Sequence, residues 1–233
     1  PVLADIAISR GQTDMAVTWS NSDYGKGLAD AFITAYEAAG GTITAKAGHE
    51  DDKADYSADV AALSAGGSST LAVLGYADTG GRGIIAASED TGAFTDYIFG
   101  DGMISEVTSG AVADGSWGTL PSPDADLGAN WKAVAEAGGV DGSGVFSAES
   151  YDAMALIILA SQAAGSTDRA AIQAQVLNVA NAPGRLCSAG SLGDCLKWIS
   201  GGLEVDYVGA TGVELDAGGT ANGSYAEREV IGG

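Results

Sequence analysis

Two tyrosines and two aspartates follow predicted strands of the sequence at positions where side chains can meet a ligand. Tyr24 comes after the first predicted strand, Tyr76 and Asp78 after the third, and Asp101 after the fourth. A tyrosine offers a flat apolar face and a hydroxyl, and an aspartate in a desolvated crevice needs a cation or several donors. These residue types therefore indicate a rim that suits a small ligand with an ammonium group.

The elements that must position these residues alternate between residues 15 and 122. Strands are predicted at 15–19, 42–47, 71–76, 97–100 and 117–120, and helices at 25–39, 57–65, 80–88 and from Met103. Alternation with short links predicts a parallel sheet covered by helices on both faces. Ligands of such sheets bind beyond the carboxyl ends of the strands, so we expect the four side chains to face a common crevice.

The pattern changes after Pro123. Helices are predicted at 125–137, 148–164, 169–180 and 192–200, followed by short strands at 205–208, 212–215 and 224–230. The helices have no strands to alternate with, so we expect them to cover a sheet whose strands lie elsewhere. Their apolar stripes must be buried against it; they comprise Tyr151, Met154, Ala155, Ile158 and Leu159 on one helix and Ile172, Val176 and Val179 on the next.

Structural interpretations of the candidate site remain open. Asp23 and Tyr24 could simply be an N-terminal helix cap and its staple residue. Asp101, followed by a glycine, could form an ordinary turn. Neither alternative is excluded by the sequence.

Cofactors, metals and catalysis have little support. The stretch GYADTGGRG has neither the dinucleotide-binding nor the P-loop spacing, and no lysine accompanies it. His49 and the acidic residues at 50–52 could hold a metal, but we favour an exposed polar loop. Because His49 is the only histidine, a Ser-His or Cys-His pair has only one possible base, with no obvious nucleophile in a matching turn. We therefore predict a binding protein, with no catalytic residues, metal or cofactor.

Charge and cysteine content narrow the class of partner. The chain has 233 residues, 31 of them acidic and 10 basic, for a net charge of -21, which argues against nucleic acid because phosphates require clustered Lys and Arg. No stretch approaches the length of a membrane span. Cys187 and Cys195 could form a disulfide in an exported protein, whereas a metal pair would need more ligands.

Several stretches resemble the type I periplasmic binding proteins, specifically the leucine/isoleucine/valine-binding family of ABC transporters. They are MAVTWSNSDYGKGLADAFITAYEAAGGTI, ADYSADVAAL, LAVLGY, IFGDGM, AESYDAMAL and VDYVGATGVELDAGG. The resemblance implies an α/β fold with two parallel-sheet lobes, joined by hinge crossings, that close on an amino acid.

The resemblance also implies roles for individual residues. Tyr24 would face the ligand, and Asp101 would receive its ammonium group, with a shorter reach than the glutamate of many relatives. Tyr76 and Asp78 lie in the loop that would follow the third strand. From the first-lobe side, the segment 146–151 would contribute Phe146 and Glu149, and the oxidising compartment of the family predicts a disulfide between Cys187 and Cys195.

The resemblance implies a domain organisation as well. Residues 10–121 with 222–233 would form the second, ligand-binding lobe, and 122–221 the helical part of the first. Nothing in the sequence corresponds to the amino-terminal segment of the first lobe, so we expect that lobe to be incomplete. The implied function is a periplasmic solute-binding subunit whose partner is the membrane permease of an ABC importer. The alternative is a ligand-sensing domain of a receptor or regulator.

Overall fold

The structure is a computed structural model that describes residues 1–104 and 115–231. Its elements in chain order are α1 (Val2–Ser9), β1 (Asp14–Ser20), α2 (Asp23–Ala38), β2 (Thr42–His49), α3 (Ser57–Ser64), β3 (Thr70–Leu74), a π turn (Ala77–Gly81), α4 (Arg82–Thr91), β4 (Asp96–Phe99), α5 (Asp101–Ile104), β5 (Trp117–Pro121), α6 (Ala125–Ala137), α7 (Ser147–Ala164), α8 (Arg169–Ala180), β6 (Arg185–Ser188), α9 (Leu192–Ser200), β7 (Val205–Gly209) and β8 (Tyr225–Glu229). The chain divides into two compact units, Pro1–Leu120 with Ala226–Gly233, and Pro121–Tyr225.

The first unit is built on a six-stranded sheet in the order β2-β1-β3-β4-β5-β8. The pairs β1–β2, β1–β3, β3–β4 and β4–β5 are all parallel, as the sequence predicts. Because these five strands run in the same direction, the segments that follow β1, β3 and β4 leave the sheet at one edge.

Two apolar clusters cover the two faces of this sheet. On one face Leu71 and Phe99 pack with residues of α3 and α4. On the other, Met15 and Ile98 pack with residues of α1 and α2. Every residue of β3 is buried, as expected for a strand that has helices on both faces.

The second unit has a two-stranded parallel sheet of β6 and β7. Its core contains Leu159 of α7, Val179 of α8 and Tyr207 of β7, and the predicted disulfide between Cys187 and Cys195 is confirmed there. The predicted strand at 205–208 is β7, and it pairs with β6, which was not predicted, so these helices pack in part on strands of their own unit. The predicted strand at 212–215 is wrong: only an isolated bridge joins Leu215 to Ala221.

The apolar stripe of α7 is divided between the interior and the surface. Ala155 and Leu159 are buried in the core of the second unit. Met154 and Ile158 of the predicted stripe are by contrast 57% and 37% exposed, and Ile157, which lies outside the predicted stripe, is 48% exposed. The described residues therefore cover only part of the predicted stripe and leave the rest of it exposed.

Smaller differences also separate prediction and structure. α1 and β6 were not predicted; the third strand ends at Leu74 instead of residue 76, and the predicted helix at 80–88 is α4, preceded by the π turn. The helix predicted from Met103 begins at Asp101, and its continuation beyond Ile104 lies outside the described residues. Among the described helices, none has the length and apolar character needed to cross a membrane.

Candidate ligand-binding site

Tyr24 is held at the start of α2 by the turn that leaves β1. Ser22, and not Asp23, is the cap: its hydroxyl accepts a hydrogen bond from the amide of Gly25 at 3.1 Å. A Cβ at Gly25 would collide with the carbonyl oxygen of Ser20, so only glycine allows the helix to start this close to the strand. The cap at Ser22 and the close contact at Gly25 therefore fix the backbone immediately before and immediately after Tyr24.

Tyr76 is placed beside Tyr24 by the π turn that follows β3. The amide of Gly81 donates to the carbonyl of Tyr76 at 3.1 Å, a five-residue bond of the π type. The two tyrosine rings stack with centroids 4.8 Å apart and planes inclined by 25°. Gly102 lies so close that a Cβ there would be 2.9 Å from the Tyr76 ring. Tyr76 is 46% exposed.

Asp101 completes this group at the end of β4. The Tyr24 hydroxyl donates to a carboxylate oxygen of Asp101 at 2.6 Å. Burial, this hydrogen bond and the negative charge of Asp101 all raise the pKa of Tyr24 above its usual 10.0. Tyr24 therefore stays a neutral donor near pH 7. We call Tyr24, Tyr76 and Asp101 the Tyr24 cluster; it brings together three of the four residues predicted for the rim.

Asp78 has a different environment from the cluster. Its side chain is 72% exposed, and its carboxylate lies 3.4 Å from the guanidinium of Arg82, one helical turn along the chain. An exposed pair of this kind contributes little to stability. The role of Asp78 in ligand binding stays a prediction.

Phe146 and Glu149 lie in the second unit, at the beginning of α7. Phe146 immediately precedes the helix with φ 62°, a left-handed conformation, and its side chain is exposed. This backbone conformation is unfavourable for a bulky residue and is often retained at functional sites. Glu149 is half-buried in the first turn of the helix. Their contact with a ligand stays a prediction.

The structure corrects the interpretation of His49 as part of an exposed loop. The acidic residues at 50–52 are exposed, but His49 at the end of β2 is buried, with Nδ1 at 2.9 Å from the hydroxyl of Thr18. Over the ranges 1–104 and 115–231, no His, Cys, Asp and Glu side chains group closely enough to hold a metal ion.

Comparisons with known proteins identify the fold. No protein-family model matches the sequence, and no curated protein matches it significantly. Among solved structures, the leucine-binding protein LivK from Thermotoga maritima has a TM-score of 0.72 and 20% identity, covering 98% of this chain and 61% of that chain. An ABC transporter solute-binding protein from R. palustris, in complex with 4-hydroxybenzoate, has a TM-score of 0.69 and 18% identity, covering 100% and 60%.

A third neighbour is a periplasmic binding protein type 1 from Bordetella pertussis Tohama I, with a TM-score of 0.62 and 14% identity, covering 95% of this chain and 64% of that chain. This chain has the type I periplasmic-binding-protein fold. It spans about three fifths of the length of LivK, and one lobe of the fold is incomplete in it. The likeness establishes the fold, while the ligands differ among these proteins.

Proposed function

We propose that this chain belongs to an extracytoplasmic solute-binding protein of an ABC importer and that it binds an amino acid or a similar small polar ligand. The observation that supports this function is the Tyr24 cluster, which lies at the carboxyl edge of the sheet where ligands of open α/β sheets bind. The type I fold, shared with ABC transporter binding proteins, agrees with it.

The chemistry of the cluster favours a ligand with an ammonium group. The hydrogen bond from Tyr24 orients the carboxylate of Asp101. A partly buried carboxylate that meets an ammonium group forms a charge-assisted hydrogen bond, which is stronger than a neutral one. The exposed part of the Tyr76 ring offers an apolar and cation-attracting surface next to it. A ligand with only a carboxylate would be repelled by Asp101.

The other predicted residues extend this proposal. We assign Phe146 and Glu149 of the second unit to further ligand contacts, with Asp78 as an additional polar contact. The disulfide favours an oxidising compartment, and the fold is shared with a protein named as periplasmic, so we propose a periplasmic location. The proposed partner is the membrane permease of an ABC importer, and an amino-terminal segment of the first lobe is proposed to complete the incomplete lobe.

A thermal-shift screen of the complete protein tests the proposal. The screen contains the twenty common L-amino acids, the corresponding amides of those that bind, and 4-hydroxybenzoate as a carboxylate without an ammonium group. We expect at least one amino acid to raise the midpoint of unfolding in a concentration-dependent way, because a ligand that binds the native state stabilises it. Stabilisation by 4-hydroxybenzoate and by none of the ammonium compounds would contradict the assignment.

A further inference from the structure

The only histidine of the chain is enclosed beside the candidate site. His49 is 1% exposed, and its Nε2 is buried without a hydrogen-bond partner among the described residues. Its other nitrogen, Nδ1, lies 2.9 Å from the Thr18 hydroxyl, and the Tyr56 ring meets the imidazole edge to face at 6.1 Å between centroids. One polar edge of a titratable ring is therefore unsatisfied inside the protein.

The π turn closes directly over this edge. A Cβ at Gly80 would lie 2.9 Å from Cδ2 and 3.1 Å from Nε2 of His49, so the backbone of Gly80 packs against the ring. The amide of Asp52 donates to the carbonyl of Thr79 at 2.5 Å, which ties the loop after β2 to the same turn. Asp52 has a left-handed backbone with φ 55°. The ring, the loop and the π turn form one packed assembly.

The π turn in turn positions the ligand-binding candidate Tyr76. Tyr76 immediately precedes the turn, and its carbonyl accepts the bond from Gly81 that closes it. Its ring stacks on Tyr24, which donates to Asp101. A displacement of the turn would therefore move Tyr76 away from the other members of the Tyr24 cluster.

Charges around the ring act in opposite directions. Burial lowers the pKa of His49 below its usual 6.5, while the nearby carboxylates of Asp51, Asp59 and Glu50 act to raise it and the Lys53 ammonium adds to the lowering. From the π turn and from β1, the groups that contact the ring are the backbone of Gly80 and the hydroxyl of Thr18, and both are uncharged. The loop and α3 thus supply the charges that face it.

We propose that His49 is a positioning residue of the ligand site: its neutral ring supports the π turn that carries Tyr76, and proton uptake displaces that turn. A second ring N–H has no acceptor within residues 1–104 and 115–231, and a buried charge without a partner is costly. Because the backbone of Gly80 packs against Nε2, moving Gly80 aside would admit water to this nitrogen. The inference rests on the proposed function in that Tyr76 is assigned to the ligand site.

A pH titration by NMR tests this coupling in the complete protein, prepared without a histidine tag and without any ligand. His49 is the one histidine of the 233-residue chain, and its imidazole signals in the complete protein are assigned through the backbone signals of Gly48, His49 and Glu50. We expect the ring to titrate with a midpoint below 6.5 and the amide signals of Tyr76, Gly80 and Gly81 to shift with the same midpoint. A ring midpoint at or above 6.5, or amide signals that stay fixed through the ring transition, would overturn the proposal.

Two variants separate His49 from the many carboxylates. His49→Gln keeps a polar neutral side chain, and the Tyr76 transition should disappear in it; a transition that persists there would assign the effect to another group. Asp59→Asn should retain the Tyr76 transition and lower its midpoint, because one nearby negative charge is lost. The wild-type titration decides the question alone should His49→Gln fail to fold. The titration contains no ligand, so its result does not depend on whether the thermal-shift screen finds an amino acid that binds.

Discussion

Tyr24 and Asp101 depend on each other for their proposed roles. The phenol is protonated near pH 7, and burial and the carboxylate raise its pKa further, so its proton is available for the bond to Asp101. The hydrogen bond from Tyr24 fixes the orientation of the Asp101 carboxylate. A hydrogen bond to a charged group is worth about 1.5–3 kcal/mol, so both the charge and the orientation of Asp101 matter to a bound cation.

Replacing the charge of Asp101 tests its role. Asp101→Asn keeps the shape of the side chain but loses the charge-assisted bond, and we expect affinity for the amino acid selected by the screen to fall about 10-fold or more, equivalent to at least about 1.4 kcal/mol. Isothermal titration calorimetry on the complete protein measures it. Asp90→Asn, an exposed change on α4, is the matched control and should leave affinity unaltered. Equal affinity of wild type and Asp101→Asn would remove Asp101 from the site.

His49 also predicts how stability depends on pH. Its pKa is lowered in the folded state and is near 6.5 in the unfolded state, so the unfolded state binds more protons between the two values. The free energy of unfolding should thus be highest above pH 6.5 and should fall as pH is lowered towards the folded-state pKa. Urea unfolding of wild type and His49→Gln at pH 7.5 and 5.5 measures this. An equal pH dependence in both proteins would show that His49 has no part in it.

The residues of the Tyr24 cluster could be predicted because the carboxyl ends of parallel strands meet at one edge. The stacking of Tyr76 on Tyr24 could not, because it depends on the π turn, for which the sequence offers only a glycine-rich stretch. The burial of His49 was missed for a related reason. Three acidic residues follow it, and part of the enclosure comes from Gly80, which is distant along the chain, with Tyr56 returning from the end of the acidic loop.

At the scale of elements, a buried carboxylate joins α7 to the segment after β7. Asp152 accepts hydrogen bonds from the hydroxyls of Tyr207 and Thr211 and from the amides of Ala210 and Thr211, at 2.7 to 2.8 Å. Gly209, with φ 63°, allows this approach, since a Cβ there would collide with the carboxylate. Asp152 was not singled out in the sequence, where it reads as one more helix residue beside Tyr151.

Removing this carboxylate should destabilise the second unit. In Asp152→Asn an amide NH₂ replaces an acceptor that faces several donors, and we expect a loss of about 2–4 kcal/mol in the free energy of unfolding. Urea unfolding followed by circular dichroism measures it. Asp194→Asn, on the exposed side of α9, is the matched control and should change stability by less than about 0.5 kcal/mol. A loss no larger than that of the control would show that these bonds contribute little.

The disulfide joins β6 to α9, two short elements of the same unit. Cross-linking residues eight apart in sequence removes some freedom from the unfolded chain, so we expect Cys187→Ser with Cys195→Ser to lower the free energy of unfolding by about 2–3 kcal/mol. Wild type unfolded in urea with and without a reductant gives an independent measurement. The account would be contradicted if the double variant were as stable as wild type and if the reductant left the stability of wild type unchanged.

Elements could be predicted where burial of one face gives the sequence a hydrophobic periodicity. They could not be predicted where hydrogen bonding to a neighbouring strand alone defines the element. Helices α8 and α9 have the predicted bounds because apolar stripes mark them. β6 has one buried residue in four, and its strand conformation comes from pairing with β7. Residues 212–215 have apolar alternation without a partner strand, so they form no ladder.

For the molecule as a whole, the most informative surface is the exposed apolar face of α7, formed by Met154, Ile157 and Ile158. Contiguous apolar patches on proteins generally mark contacts with other polypeptide. The chain spans 61% of the length of LivK, and the second unit has two strands among its described residues. We therefore propose that the remainder of the incomplete lobe covers this face in the complete protein.

The last prediction compares the 233-residue chain with the complete protein. Alone, the chain should bind a fluorescent probe of apolar surface or self-associate in analytical ultracentrifugation, and it should bind the amino acid selected by the screen at least 10-fold more weakly. Ile157→Ser with Met154→Ser should reduce probe binding and association, because both side chains belong to the exposed face. Leu186→Ser, an exposed apolar residue on β6, is the matched control and should leave both unchanged. A monomeric chain with no probe binding and with the full affinity of the complete protein would show that neither this face nor ligand binding requires further polypeptide.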